Sequence, residues 1–231
     1  AKVCVSDNQD NASTRFNLGR LKSKEIKFEL GKHSAEFIER SGLLVVSPGV
    51  TDLSPAVILA KGQGIPVISE IEFAWMLCPA TVIAVTGSSG KSTVATLIGK
   101  ILEESGKKVF VCGNIGNPFS GEVDKMAQGD FLSLEASSFQ LEKTRNFKPR
   151  VSAILNFSRN HLDRHRDMQE YLEAKKRIFM NQDEDDFLVL NRDDPVLAPL
   201  AEGTRPRVVF FRGTEGLNPN QAAVMAVATL L

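Results

Sequence analysis

Short apolar runs alternate with polar, helix-like stretches along the first third of the chain. The apolar runs occupy residues 3–5, 43–46 and 66–68, and the helix-like stretches between them occupy residues 34–40 and 54–61. This strand–helix alternation predicts a parallel sheet. The polar residues Ser47, Pro48 and Gly49 follow the second strand. Open α/β sheets bind ligands at the carboxyl ends of their strands, so this loop is a candidate binding position.

A second and longer α/β series begins after Cys78-Pro79. Its strand-like runs are Thr81–Val85, Val109–Cys112, Phe131–Glu135, Val151–Phe157, Phe187–Asn191 and Val208–Phe211. Helix-like segments separate most of them, and residues 221–231 are apolar and helical. We therefore predict an α/β protein with a Rossmann-like parallel-sheet domain over residues 1–79 and a mostly parallel α/β domain over residues 80–231.

The loop after the first strand of the second domain is rich in glycine. It reads Thr86-Gly87-Ser88-Ser89-Gly90-Lys91-Ser92-Thr93, and a helical pattern follows over residues 94–104. Glycines allow backbone N–H groups to converge on a phosphate at the helix N-terminus, and a Lys-Ser pair serves phosphate and Mg²⁺. Val85 stands where the usual motif has its first glycine, and a simple helix cap is the alternative. Strand, glycines and helix together predict a P-loop-type nucleotide site.

Composition argues against several classes of partner. The 231 residues carry 28 basic and 28 acidic side chains, so no overall field attracts nucleic acid or an anionic membrane. Cys4, Cys78 and Cys112 are odd in number and lie in or beside apolar segments, which is typical of buried cysteines in a reducing compartment. No export signal or membrane span is evident. We expect a cytoplasmic location.

Two loops at the ends of later strands carry candidate chemistry. Glu135 ends the third strand of the second domain, where its carboxylate is expected on the same edge as the phosphate loop and could hold Mg²⁺. An ordinary solvated acid is an equal alternative from this residue alone. His161 and His165 follow the fourth strand; either could bind metal or phosphate, although a loop histidine more often does neither.

A lysine is predicted to point inward from the helix over residues 167–180. At 100° per residue the apolar side chains form one stripe with Lys175 at its centre, whereas Lys176 is marginal and Arg177 lies opposite. The stripe consists of Met168, Tyr171, Leu172, Ile178 and Phe179. A buried lysine is costly unless it is paired, neutral or modified. A lysine that extends its amine to solvent is the alternative.

These motifs, in this order, resemble the Mur ligase family. The resemblance rests on the phosphate loop, Gly113-Asn114-Ile115-Gly116, the segment from Glu135 to Glu142 (EASSFQLE), the segment from His161 to His165 (HLDRH) and the segment from Tyr171 to Lys175 (YLEAK). It covers nearly the whole chain. Related ligases and folylpolyglutamate synthase share the phosphate loop but generally not the SSFQLE segment.

The resemblance implies a role for each matching residue. Binding of ATP is implied for Gly87, Ser88, Ser89, Gly90, Lys91, Ser92 and Thr93, with Asn218 near the adenine. Metal contacts are implied for Ser92 and Glu135 at one Mg²⁺ and for His161 at a second, which a carbamylated Lys175 would support. Contacts to a UDP substrate are implied for Asn8, Gln9, Ser47, Pro48, Gly49, Asn114, Ser137 and His161.

The implied reaction is ATP-dependent amide ligation in peptidoglycan precursor synthesis. The carboxylate of UDP-N-acetylmuramoyl-L-alanine attacks the γ-phosphate of ATP, and the amine of D-glutamate displaces phosphate from the acyl phosphate. Lys91, Lys175, His161 and Glu135 are the implied catalytic residues. The implied partners are these three small molecules, with no nucleic acid or membrane, and a monomer is expected.

The chain also departs from the family pattern. The resemblance implies a preceding strand and a following glutamate-binding domain, so this chain by itself is expected to be inactive. It is shortened near residues 212–216, and Leu217, Ser89 and Asn160 replace a histidine, an asparagine and an aspartate. Three alternatives remain: a related ligase with another acceptor, a module that binds nucleotide without turnover and, less well supported, a mechanical P-loop ATPase.

Overall fold

A computed structural model describes residues 2–21, 25–159, 165–213 and 216–231. The chain divides into two compact units, Ala1–Ile68 and Ser69–Leu231. No helix within the described ranges is long and apolar enough to cross a membrane. His161, to which catalytic, metal and substrate roles are assigned above, lies outside the described residues, as does Asn160.

The first unit is a small α/β assembly. Its elements are β1 (Cys4–Asp7), α1 (Ala12–Gly19), β2 (Lys27–Leu30), α2 (Ala35–Glu39), β3 (Leu44–Val46), α3 (Pro55–Gly62) and β4 (Val67–Ser69). Strand β1 pairs in parallel with β2, and β3 pairs with β4. The three predicted strands are confirmed, but they belong to two separate two-stranded sheets. Helix α1 and β2 were not predicted, because neither shows a clear apolar stripe or alternation.

The second unit is built around one large sheet. Its elements are α4 (Glu70–Leu77), β5 (Thr81–Thr86), α5 (Lys91–Glu104), β6 (Val109–Gly113), β7 (Phe131–Glu135), α6 (Ser138–Leu141), β8 (Val151–Ile154), α7 (Met168–Lys176), β9 (Phe187–Asn191), β10 (Arg207–Phe211) and α8 (Pro219–Ala228), with short 3-10 helices at Phe119–Gly121, Val123–Lys125 and Ala198–Ala201. The six strands have the order β10-β9-β8-β5-β7-β6, and every pair is parallel.

All six strands predicted for the second domain are present in that sheet. Strand β8 ends at Ile154 rather than at Phe157. The Leu155 N–H still donates to Thr86 at the end of β5, but the Asn156 carbonyl accepts from the N–H of Ser88 in the phosphate loop. The predicted helix over residues 167–180 ends at Lys176. A hydrophobic core packs on each face of the sheet. Leu132 in one core and Ile98 in the other are almost completely buried. Strands buried on both faces read as continuous apolar runs, which is why they were recognisable.

Helix α4 belongs to the second unit, although the sequence boundary at Pro79 placed it in the first domain. Its apolar side chains Ile71 and Ala74 are fully buried in the core of the large sheet. The buried carboxylate of Glu72 accepts backbone N–H bonds from Arg145, Asn146 and Phe147 at 3.0, 2.9 and 2.9 Å. The compact units therefore separate between Ile68 and Ser69, about one helix earlier than the sequence suggested.

Candidate functional site

The phosphate loop lies between the central strand β5 and the N-terminus of α5. Gly90 has a left-handed φ of 78° and ends the loop directly before Lys91, the first helical residue. The N-cap residue of α5 is Gly90, which has no side chain, and no side-chain cap hydrogen bond forms among the residues that the structure describes. The first N–H groups of α5 thus have no intrahelical acceptor, and they suit an anionic ligand. The predicted strand, turn and helix around residues 87–93 are confirmed, while their ligand remains a prediction.

Residues 156–158, which follow β8, form hydrogen bonds with the phosphate loop. The Ser89 N–H donates to Oδ1 of Asn156 at 2.9 Å, and Nδ2 of Asn156 donates to the Ser89 carbonyl at 3.1 Å. The hydroxyl of Ser88 donates to the Ser158 carbonyl at 3.1 Å and accepts from the Ser158 N–H at 3.0 Å. These hydrogen bonds were not predicted from the sequence, because Asn156 and Phe157 were assigned to a strand and Ser158 to the loop that follows it.

Two lysines meet at one carbonyl oxygen of the loop. The Nζ atoms of Lys91 and Lys175 donate to the Gly87 carbonyl at 3.1 and 2.9 Å. Lys175 is 1% exposed, and its Nζ lies 4.5 Å from the ring centroid of Tyr171. Burial, with a smaller contribution from Lys91, lowers the pKa of Lys175 to about 7. The predicted inward lysine is confirmed, and near neutral pH a large share of its amine is uncharged.

Glu135 faces the first turn of α5. Its Oε2 accepts from the Ser92 hydroxyl at 2.8 Å, and its Oε1 accepts from Nδ2 of Asn114 at 2.9 Å. The side chain is 1% exposed, so it is not the solvated acid that the sequence left open. A hydroxyl and a carboxylate at a phosphate loop are the oxygen donors that Mg²⁺ prefers, so the pair fits a metal held together with a nucleotide.

A close approach between the ends of β6 and β7 places Asn114 beside Glu135. Gly113 at the end of β6 has a φ of 109°, and a β-carbon at this position would lie 2.3 Å from the Glu135 carbonyl oxygen. The Asn114 N–H donates to the same oxygen at 2.8 Å. Only glycine combines this positive φ with so close an approach. The Gly-Asn pair thus joins β6 to the end of β7.

The rings of Phe139, His165 and Tyr171 form a cluster that contacts the phosphate loop. His165 is buried, with Nε2 3.0 Å from the Ser138 hydroxyl and its ring stacked on Phe139. Its ring centroid lies 5.0 Å from that of Tyr171, whose hydroxyl is 3.3 Å from Oγ of Ser88. These contacts connect the SSFQLE segment to the phosphate loop. The apolar stripe predicted the burial of Tyr171 but gave no sign of its polar partner.

Ser137 and Asn218 act as helix caps. Oγ of Ser137 accepts from the N–H of Gln140 at the start of α6. Oδ1 of Asn218 accepts from the N–H of Gln221 at the start of α8. The side chain that α8 presents to the phosphate loop is instead that of Asn220, whose Oδ1 would lie 2.4 Å from a β-carbon on Gly90. Asn220 was not predicted, because no sequence motif singled it out.

The predicted UDP-substrate residues of the first unit lie in loops after strands. Asn8 and Gln9 follow β1 and are exposed, and the Gln9 N–H donates to Asp7 at 2.8 Å. Ser47, Pro48 and Gly49 follow β3, and the Ser47 carbonyl accepts from the N–H of Val50. Both loops stand at the carboxyl ends of strands, as predicted. Their roles in binding remain predictions.

No group of three or more His, Cys, Asp or Glu side chains with metal-binding geometry occurs in the parts of the chain that the structure describes. Ser92 and Glu135 supply two oxygen donors side by side. Mg²⁺ typically retains waters and binds through one or two carboxylates together with substrate phosphates. The Ser92–Glu135 pair is compatible with a metal of that kind.

Comparison with known proteins extends over both units. Residues 1–69 match the N-terminal domain profile described as Mur ligase MurD-like, and residues 85–226 match the Mur ligase middle domain. A UDP-N-acetylmuramoylalanine–D-glutamate ligase of Thermoanaerobacter pseudethanolicus is 43% identical over 91% of this chain and 46% of its own length. The ligase of that name from Clostridioides difficile is 40% identical, over 94% of this chain and 49% of its own length.

A solved structure shares the fold. The UDP-N-acetylmuramate:L-alanyl-gamma-D-glutamyl-meso-diaminopimelate ligase from Neisseria meningitides superposes with a TM-score of 0.59 at 19% identity, over 91% of this chain and 70% of the other. The chain spans about half the length of the curated relatives that it matches. Because two successive domain profiles of that family match it, the chain belongs to the Mur ligase family and combines a MurD-like N-terminal domain with the Mur ligase middle domain.

Proposed function

We propose that this chain contributes the UDP-substrate and ATP domains of an ADP-forming ligase that adds D-glutamate to UDP-N-acetylmuramoyl-L-alanine. The geometry that carries the proposal is the hydrogen bond of 2.8 Å from the Ser92 hydroxyl to Oε2 of Glu135, beside the phosphate loop that leads into α5. The relatives named for this reaction, at 40 to 43% identity, support the choice of substrate. The reaction belongs to the cytoplasmic stage of cell-wall synthesis, and the enzyme would act as a monomer.

The phosphate loop would bind the triphosphate of ATP. The N–H groups at the start of α5 and the ammonium group of Lys91 would neutralise charge on the phosphate oxygens. Negative charge spreads over the γ-phosphoryl oxygens during transfer to the muramoyl-alanine carboxylate, so fixed donors there lower the barrier. Catalysis would consist mainly of positioning and electrostatic stabilisation, and the chain's own residues would orient both reactants.

Ser92 and Glu135 would hold one Mg²⁺ with the nucleotide, and His161 would hold a second. When bound, Mg²⁺ supplies charge neutralisation at the β- and γ-phosphate oxygens. Asn218 would contact the adenine through its side-chain amide group, while its oxygen caps α8. The loops at Asn8-Gln9 and at residues 47–49 would receive the uridine diphosphate, and Asn114 and Ser137 would contact the muramoyl-alanine end.

Lys175 would act as a carbamate. The neutral amine attacks the carbon of CO₂: an N–C bond forms, the π bond of one C=O breaks and leaves its electron pair on oxygen, and one proton leaves the nitrogen for solvent. The product is an anion, which would pair with Lys91 at the Gly87 carbonyl instead of repelling it. A pKa of about 7 supports the reaction, because a substantial fraction of Lys175 is then unprotonated at neutral pH. The carbamate would support the second Mg²⁺.

Carbamylation of Lys175 should appear as a protein-bound ¹³C signal when the chain is incubated with ¹³C-bicarbonate. At fixed bicarbonate concentration, we expect the signal to rise with pH through about 7 and then level off, because only the neutral amine reacts. An exposed lysine, with a pKa near 10.4, would still be gaining signal at pH 9. Lys175→Met should remove the component that levels off, whereas Lys100→Met should retain it. A wild-type chain without that component would refute the proposed carbamate.

Calorimetric titration tests the two proposed ligands separately. We expect UDP-N-acetylmuramoyl-L-alanine and Mg-ATP each to bind the chain with one-to-one stoichiometry, because one site is proposed for each ligand. UDP-N-acetylmuramic acid without the alanine is the matched control, and weaker binding of it would place the alanyl carboxylate in the site. Failure of the muramoyl nucleotide together with normal ATP binding would contradict the substrate assignment and leave the phosphate-loop assignment intact.

A further inference from the structure

We propose that Asn114 is a positioning residue that fixes the Glu135 carboxylate for the metal–nucleotide complex. The inference rests on the proposed function, and it adds a role to the substrate contact suggested above for Asn114. Its basis is the hydrogen bond of 2.9 Å from Nδ2 of Asn114 to Oε1 of Glu135.

The two oxygens of Glu135 have different partners. Oε2 accepts from the hydroxyl of Ser92, which is in the first turn of α5, and Oε1 accepts from Asn114. A carboxylate bonded at both oxygens cannot rotate without losing a donor. Loss of a donor is costly here, because Glu135 is 1% exposed and water has little access to replace the lost bond. Asn114 thus determines which way the plane of the carboxylate faces.

The backbone holds Asn114 in a fixed place for this task. The Asn114 N–H donates to the Glu135 carbonyl at 2.8 Å, and the Gly113 N–H donates to the Asn117 carbonyl at 2.9 Å. The turn over residues 113–117 is therefore held by one hydrogen bond to the end of β7 and by one within the turn. A side chain on so constrained a backbone has few alternative positions. The Asn114 amide is therefore positioned to donate to Glu135 in the absence of a ligand.

The chemistry of the amide allows both roles. An asparagine side chain has two N–H donors and one acceptor oxygen. One N–H goes to Glu135, and the other N–H and Oδ1 form no hydrogen bond with the residues that the structure describes. Those two groups can serve a second ligand, such as the muramoyl-alanine end of the substrate. Residues that orient a metal ligand in this manner typically change metal affinity about 10- to 100-fold when they are replaced.

Binding of Mn²⁺ to the ADP complex of the full chain tests the role without turnover. Free Mn²⁺ is measured by electron paramagnetic resonance, and ADP affinity is measured separately in EDTA. We expect Asn114→Ala to weaken Mn²⁺ binding about tenfold, while ADP affinity in EDTA and the unfolding temperature stay close to wild type. Asn114→Leu, which is similar in size and has no donor, carries the same expectation if the alanine variant folds poorly.

Asn117→Ala is the matched control. Its Nδ2 also donates to a carboxylate, Oε1 of Glu122, at 2.6 Å, but that carboxylate has no contact with Ser92. The control should bind Mn²⁺ as wild type does. A loss of less than about fivefold for both Asn114 variants would overturn the inference, and so would an equal loss of ADP affinity in EDTA. A wild-type chain that binds no ADP would instead overturn the proposed function.

Discussion

Lys91→Ala is expected to abolish calorimetrically detectable binding of Mg-ATP. The substitution removes the cation of the phosphate loop, whose Nζ now donates to the Gly87 carbonyl at 3.1 Å and would turn to the phosphates when ATP binds. A hydrogen bond to a charged group contributes about 3 kcal/mol at most, which corresponds to roughly a 150-fold change in affinity. Titration of wild-type and variant chains under the same conditions measures the difference.

Lys100→Ala is the control for charge and helix propensity. Lys100 belongs to the same helix α5 but is exposed, and its side chain forms no hydrogen bond or ion pair with the described part of the chain. This variant should bind Mg-ATP within about twofold of wild type, because an exposed charge remote from the ligand is screened by salt. Unchanged ATP affinity in Lys91→Ala would refute the assignment of residues 87–93 as a phosphate site.

Gly113→Ala is expected to lower the free energy of unfolding by about 3 kcal/mol or more. Two costs add: the strain of a φ of 109° for a residue with a side chain, and a clash of the new β-carbon with the Glu135 carbonyl oxygen 2.3 Å away. The neighbouring contact is backbone, so it cannot swing aside as a flexible side chain would. Urea denaturation followed by circular dichroism measures the change.

Gly129→Ala separates the two costs. Gly129 also has a positive φ, 93°, but a β-carbon there would meet no atom within 4 Å. We expect this variant to lose only about 1 kcal/mol, which is the cost of the backbone strain alone. Equal destabilisation by the two substitutions would show that the close approach of Gly113 to Glu135 is unimportant. Weaker Mg-ATP binding by Gly113→Ala, if the variant folds, would link this crossing to the site.

Sequence pattern alone determined much of the second domain. Strands such as Val82–Val85 and Leu188–Leu190 are buried on both faces, so their apolar runs are continuous and easily recognised. The phosphate loop was recognisable because Gly90 and Lys91 adjoin a strand and a helix, and that order alone implies the geometry. The inward position of Lys175 followed from helical periodicity, because a helix repeats every 3.6 residues regardless of its surroundings.

Partners distant in the chain could be assigned only from the tertiary structure. The contacts of Glu135 with Ser92 and Asn114 join three segments, and no local rule relates their spacing. The lowered pKa of Lys175 also depends on the tertiary structure, because its causes are burial in the folded chain and, to a smaller extent, the nearby charge of Lys91. Periodicity fixes which way a side chain faces, whereas the partner that it meets depends on how distant segments pack together.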